Sequence, residues 1–367
     1  MNPMADRRQG VVYLAVILLY AALISGCSSG VGEGTAVPGP DSAAGAGETV
    51  ATEEARHEEQ VEGTVPEILL LPQLQPADLD GGPLRVVATT SIIGDVVGQV
   101  GGGGIKLTTL IGPGQDPHSF EPAARDLTAV SGAHVIFVNG WDLEEGLADD
   151  LENISGNVPI VPISANIAPQ AFAEIDSEEV GEHDHAHDAF DPHVWFSVAH
   201  VAQWTENAAQ ILSALDPAQS ENYEHNAAAY LAELEALGAY ATAELDKIPR
   251  EKRYLVTQHD ALGYLADDYG LTLLGTVIPS QSTLAEPSAR DLTALIEQMA
   301  RYGVCTIFTE TTMSDALAQT AASELAGCEK VQVIQLYTGA VGPAGSGADS
   351  YIGMYRANVD AIVSGLK

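Results

Sequence analysis

The stretch Glu182–Trp195, EHDHAHDAFDPHVW, holds four histidines in two different settings. His183, His185 and His187 alternate with Asp184, Ala186 and Asp188, a polar, imidazole-rich tract whose composition reads as metal-binding. His193 stands apart, inside Asp191-Pro192-His193-Val194-Trp195. A proline fixes the backbone ahead of it and apolar residues follow, the setting of a side chain held in one place. The same frame occurs earlier as Asp116-Pro117-His118, and a third histidine, His259, follows the strand-like run in YLVTQHDALGYL. Neutral imidazole nitrogen is a good ligand for zinc and its neighbours, at about 2.0–2.1 Å. Separations of 75 residues from His118 to His193 and 66 from His193 to His259 exclude a zinc finger. They suit a site assembled from several strand ends, with the metal between lobes. His134, His200 and His225 lack such frames and read as structural or surface residues.

Elements able to position these histidines follow from periodicity. LRVVATT at Leu84–Thr90 is a continuous β-branched run, as expected of a buried strand. Further strands are expected over 106–111, 133–139 and 158–163, with helices over 92–100 and 122–131 between them. Strands alternating with helices give an α/β lobe with a parallel sheet. Ligands bind beyond the carboxyl ends of strands in such sheets, and His118 follows the 106–111 strand as that rule requires. The glycine run Gly101–Gly104 is no phosphate loop, because it leads into a strand and no Lys-Ser/Thr follows.

A helix is expected over 197–215. Asp216-Pro217 then starts a long Ala-, Leu- and Glu-rich helix reaching about residue 245, more than an ordinary crossover needs. The second lobe has expected strands at 253–257, 271–277, 304–309 and 331–336, and helices at 261–269, 288–302, 313–326 and 352–366. The fold class is therefore α/β: two lobes, each a mainly parallel sheet with flanking helices, joined by one long bridging helix.

The chain of 367 residues carries a formal charge of −36, which argues against nucleic acid as a partner and is compatible with cations. Arg7 and Arg8 precede an apolar stretch, Val11–Ile24, that is short for a membrane span and ends in Leu23-Ile24-Ser25-Gly26-Cys27. This resembles a bacterial lipobox, with Cys27 as the lipid-modified first residue. The expected organisation is a signal peptide (1–26), a lipidated acidic low-complexity tether (27–82) and a first lobe (83–215) bearing the His-rich loop 182–188. A bridging helix (216–248) and a second lobe (249–367) follow. Ile68–Leu71 is apolar enough to dock. Cys305 lies at the start of one expected strand and Cys328 just ahead of the next, and parallel neighbours would bring them together. In an exported protein that favours a disulfide over metal ligation.

Taken in order, several motifs resemble the metal-binding substrate-binding proteins of bacterial ABC importers for zinc or manganese. They are Asp116-Pro117-His118-Ser119-Phe120-Glu121-Pro122, Asp191-Pro192-His193-Val194-Trp195 and His259-Asp260-Ala261-Leu262-Gly263-Tyr264-Leu265. Glu286-Pro287-Ser288, Phe308-Thr309-Glu310 and the segment from Tyr351 to Val359 complete the set, which covers roughly 84–367. The resemblance implies a lipid-anchored, extracytoplasmic monomer that delivers metal to a permease and its ATPase. It implies two lobes bridged by one rather rigid helix, with metal held by His118, His193 and His259. A His-rich loop ahead of the second ligand is typical of the zinc branch. Manganese relatives usually carry a carboxylate where this chain has His259. Both signs favour zinc, with manganese the alternative. Many relatives supply a fourth ligand, an aspartate, after the last strand. Here residues 336–342 contain no acid, which leaves water, Glu310 or Asp349, with water or Glu310 preferred.

Two other functions fit parts of this pattern. Three histidines and a water also make a catalytic zinc site, so a zinc-dependent hydrolase is one alternative. A metal-stabilised surface adhesin is the other. The loop histidines His183, His185 and His187 have no apolar frame and are expected to collect zinc weakly rather than to join the tight site.

Overall fold

Two sheets, each of four parallel strands, organise the chain. The structure is a computed structural model that describes residues 68–171 and 190–367. The signal peptide, Cys27, most of the tether, and His183, His185 and His187 lie outside the described residues. In the first lobe β1 (Leu84–Thr90), β2 (Ile105–Ile111), β3 (Val135–Val138) and β4 (Ile160–Pro162) pair in the order β2-β1-β3-β4. Helices α1 (Ser91–Gly101), α2 (Ala124–Ser131) and α3 (Ala148–Ser155) connect them. The glycine run forms the end of α1 and a short 3₁₀ turn into β2, with Gly102 at φ +49° closing the helix. Periodicity did not disclose α3. Its eight residues, ADDLENIS, put only Leu151 and Ile154 against the outer cluster, too short a run for a period to stand out.

Helix α4 (Val198–Leu215) and the 26-residue α5 (Ser220–Leu245) come next. The second lobe repeats the first arrangement. Strands β5 (Tyr254–Thr257), β6 (Thr272–Thr276), β7 (Thr306–Glu310) and β8 (Gln332–Leu336) lie in the order β6-β5-β7-β8. Its helices are α6 (Gly263–Tyr269), α7 (Ala289–Tyr302), α8 (Ala316–Glu324) and α9 (Tyr351–Leu366).

Alternation along the strands separates three apolar layers. Val86, Ala88, Val135 and Phe137 face a central cluster, whereas Val87 and Ile136 face an outer one under α2 and α3. In the second lobe Leu255 and Phe308 face the central cluster, and Val256 and Ile307 face an outer one under α7 and α8. The central cluster is continuous across both lobes. Trp195, Trp204, Tyr351 and Tyr355 are among its largest buried side chains.

Helix α5 buries Tyr223, Ala227, Tyr230, Leu234, Leu237 and Ala241, an apolar stripe at steps of three and four. The stripe packs on α1 of the first lobe and α9 of the second, as well as on α4. At 1.5 Å per residue the helix is roughly 39 Å long, enough to serve both lobes.

The tether expectation changes at its end. Residues 68–82 lie on the first lobe, with Leu71, Leu74, Ala77 and Leu79 against the central cluster. Leu69 O accepts from Asn166 N at 2.8 Å, and Ala77 N donates to Leu215 O at 2.9 Å. Cys305 and Cys328, just ahead of the neighbouring strands β7 and β8, form a disulfide with Cα atoms 5.8 Å apart.

Candidate metal centre

The Asp-Pro-His frame works as a local clamp. Asp116 Oδ1 accepts from His118 N at 3.1 Å, and Asp191 Oδ1 accepts from His193 N at 2.9 Å. An aspartate that captures the backbone N–H two residues on makes an Asx turn, and the intervening proline restricts the turn further. Each histidine is thereby fixed at its backbone before its ring meets anything. His259 is fixed differently. It lies two residues beyond β5, its N–H donates to Glu310 Oε1 at 3.2 Å, and its carbonyl accepts from Thr257 Oγ1 at 2.8 Å.

The three rings converge. His193 Nε2 lies 3.3 Å from His118 Nε2 and 3.1 Å from His259 Nε2. All three side chains are buried, at 3%, 1% and 2% exposure for His118, His193 and His259, so the cluster is shielded from bulk water. Among the described residues this is the group of His, Cys, Asp and Glu side chains whose ligand atoms all approach within 4.8 Å. Two nitrogens on a tetrahedral ion at about 2.0–2.1 Å lie roughly 3.3–3.4 Å apart, so the observed edges accommodate an ion with little adjustment.

Behind each ring stands a carboxylate. His118 Nδ1 meets Glu145 Oε1 at 3.0 Å and His193 Nδ1 meets Asp191 Oδ1 at 2.8 Å. His259 Nδ1 meets Glu310 Oε1. A carboxylate on Nδ1 takes the ring proton there and leaves the Nε2 lone pair free for a metal. Burial holds the His193 pKa well below the ordinary value, and the neighbouring His259 and His118 add to this, so its imidazole is neutral. Burial also opposes charge on His259, but Glu310 outweighs it and the net shift is upward. Glu310 shows the complement: burial would raise its pKa, yet His259 and Thr338 lower it overall. Burial pushes Asp191 up to about 7 despite the hydrogen bond from His193 N.

Glu310 is thus placed behind His259. Its second oxygen is also occupied, accepting from Thr338 Oγ1 at 2.6 Å. Thr338 belongs to the acid-free stretch 336–342, which here supplies a hydroxyl to Glu310. Asp349 is exposed and closes its own loop, accepting from Gly345 N at 2.7 Å. His134, His200 and His225 lie outside the cluster. His134 Nδ1 accepts from Arg85 N at 2.9 Å, His200 stacks edge-on to Tyr264, and His225 is exposed on α5.

The lobes are joined close to the cluster. Trp195 Nε1 donates to Thr338 O at 2.9 Å, and Tyr351 and Tyr355 donate to Trp195 O and Phe196 O at 2.8 Å each. Tyr264 of α6 donates to Asp191 O at 2.9 Å and accepts from Gln170 N at 3.0 Å. Sequence reasoning missed Glu144 and Glu145, which follow β3. Glu144 is buried, and its Oε1 accepts from Thr89 Oγ1 at 2.5 Å and Asn139 N at 2.7 Å. Asn139 Nδ2 in turn donates to Pro192 O at 2.9 Å, one residue before His193. Two adjacent acids just past an expected strand were the available signal.

Residues 86–365 match the ZnuA family model, zinc-uptake complex component A, periplasmic. The chain belongs to this family. Its members are substrate-binding components of ABC importers rather than enzymes, which removes the hydrolase alternative. The manganese-binding lipoprotein MntA of Halalkalibacterium halodurans is 33% identical over 291 residues, covering 78% of this chain and 90% of that protein. The zinc-binding protein TroA of Treponema pallidum is 31% identical over 292 residues, covering 79% and 91%. The solved structure of that periplasmic zinc-binding protein superposes with a TM-score of 0.68 at 30% identity, covering 78% of this chain and 99% of it. This agrees with the two-lobed α/β architecture. The relatives divide between the two metals, so family membership establishes divalent metal binding without choosing the ion.

Proposed function

We propose that this protein captures zinc between its lobes on the Nε2 atoms of His118, His193 and His259 and passes it to an ABC permease driven by an ATPase. The observation that carries this reading is the convergence of three buried imidazoles, each with a carboxylate on its far nitrogen. Three imidazole nitrogens are a donor set that suits zinc, whereas manganese is better served by carboxylates and water. Water takes the fourth position. Glu310 orients His259 instead of ligating, because both its oxygens already accept hydrogen bonds. Every ligand comes from one chain, and the protein acts as a monomer.

Several relatives are lipoproteins by name. The same reading makes Cys27 the lipid anchor on the outer side of the membrane. Among the described residues no helix is long and apolar enough to cross a membrane. His183, His185 and His187 collect zinc more weakly than the three converging histidines. The test is titration of metal-free protein with zinc and manganese in competition. One tight zinc equivalent that manganese fails to displace is expected; tighter binding of manganese overturns the choice of metal.

A further inference from the structure

Two loops of equal length meet beside the cluster. Residues 112–123 connect β2 to α2 and carry His118, and residues 277–288 connect β6 to α7 from the corresponding edge of the other sheet. The loops lead into nearly the same sequence. Glu121-Pro122-Ala123-Ala124-Arg125-Asp126-Leu127 is echoed by Glu286-Pro287-Ser288-Ala289-Arg290-Asp291-Leu292. The echo is structural too. Asp126 reaches back to Ala123 N at 2.9 Å, and Asp291 reaches back to Ser288 N at 2.8 Å, the same helix cap in each lobe. With these segments aligned, Thr283 stands where His118 stands, three residues ahead of the glutamate.

The second loop does not supply a ligand there; it reaches across to the first. Thr283 Oγ1 donates to Asp116 Oδ2 at 2.6 Å, and Ser282 next to it is near enough to Glu145 to help hold that carboxyl below its ordinary pKa. These are the two carboxylates that hold His118, Asp116 at the backbone N–H and Glu145 at the ring. Asp116 Oδ2 also accepts from Ser119 Oγ at 2.7 Å, so both its oxygens are in use.

We infer that Ser282 and Thr283 form a latch between the lobes that sets how fast bound metal leaves. The inference rests on the reading of the three histidines as the metal site. His118 comes from the first lobe and His259 from the second, so release requires the lobes to part at the loop pair. The bonds on the Trp195 side are buried in the shared core, whereas Ser282 and Thr283 are half-buried and the next residue, Leu284, is 57% exposed. Contacts at a partly solvated rim open more readily than contacts in a core. The latch residues are positioning residues: they touch the carboxylates that aim His118, and not the metal.

The test loads the full chain with zinc, mixes it with excess chelator and follows dissociation. Thr283→Val keeps the shape and removes the hydroxyl; it is expected to release zinc roughly tenfold faster, the loss of one hydrogen bond to a carboxylate. Thr283→Ser should restore the slow rate, which a mere packing role would not predict. A wild-type rate in Thr283→Val combined with Ser282→Ala overturns the latch. Amide exchange of residues 112–123 in the metal-free protein separates the two ideas. Faster exchange in Thr283→Val supports the contact between lobes without reference to metal, whereas a wild type that takes up no zinc overturns both the site and its controlled release.

Discussion

One carboxylate oxygen of Asp191 takes two hydrogens from His193. Oδ1 accepts the backbone N–H at 2.9 Å and the ring Nδ1–H at 2.8 Å, so backbone and ring are aimed by the same atom. Asp191→Asn keeps the shape but offers a weaker acceptor whose amide can turn the wrong way. Loss of such an outer partner typically lowers metal affinity about 10–100-fold. Competition titration should show that loss with the fold intact by circular dichroism, and Glu310→Gln should act likewise on His259.

Replacing His118, His193 or His259 by alanine removes a ligand outright. Each variant should bind zinc more weakly by orders of magnitude while remaining folded. Wild-type affinity in two of the three would sink the assignment.

Glu144 gives a pH-dependent prediction away from the ligands. Burial raises its pKa above the ordinary carboxyl value. A raised folded pKa means that the folded state holds the proton more tightly than the unfolded state. The stability this contributes is present at low pH and is lost as pH rises through the folded value. Glu144→Gln retains an oxygen for both Thr89 and Asn139, and it is neutral throughout. Urea unfolding of metal-free protein should therefore find the variant at least as stable as wild type at pH 8, with its relative advantage gone near pH 4. Glu144→Ala leaves the Thr89 hydroxyl and the Asn139 N–H without their acceptor and should cost about 1–3 kcal/mol. A Gln variant weaker than wild type at pH 8 would contradict the argument.

The disulfide lies at the amino ends of β7 and β8, opposite the end that carries Glu310. Cys305→Ser with Cys328→Ser should lower stability by about 2–4 kcal/mol. Zinc affinity at the cleft should not change. Affinity falling with stability would mean that the second lobe is softened as far as Glu310.

Deleting 183–187 tests the collecting loop. Weak additional zinc equivalents should vanish and the tight one should remain. The weak equivalents should also fade towards pH 5.5, because each histidine must lose its proton to ligate and the adjacent acids favour the charged ring. Disappearance of the tight equivalent instead would place the loop in the primary site.

Strong local patterns made most of the fold legible. LRVVATT can only be a buried strand, and β1 begins and ends with it. The alternation of such runs with amphipathic stretches gave both parallel sheets and α5. The three histidines that converge were legible because two share one rigid frame and the third follows a strand end. The carboxylates behind the rings were harder to read. Glu145 reaches His118 across 27 residues and Glu310 reaches His259 across 51. No periodicity reports such pairings: a sequence reveals that Glu310 is near the site without revealing on which side of His259 it stands. The tether boundary was displaced for a related reason. Residues 68–82 are poor in aromatics, and only the surface of the first lobe reveals that Leu71, Leu74 and Leu79 have somewhere to go.

The apolar layer shared by both lobes has a consequence for the lifetime of the molecule. A chain whose halves share one core cannot lose one half and keep the other, so heating should give a single calorimetric transition instead of two. A cargo ion gripped at the cleft then protects the entire body against proteolysis, by about 4 kcal/mol when free metal is a thousandfold above its dissociation constant. On that linkage empty copies should be cleaved before loaded ones, so limited proteolysis with and without metal would make carrier survival a record of how much metal was there to carry.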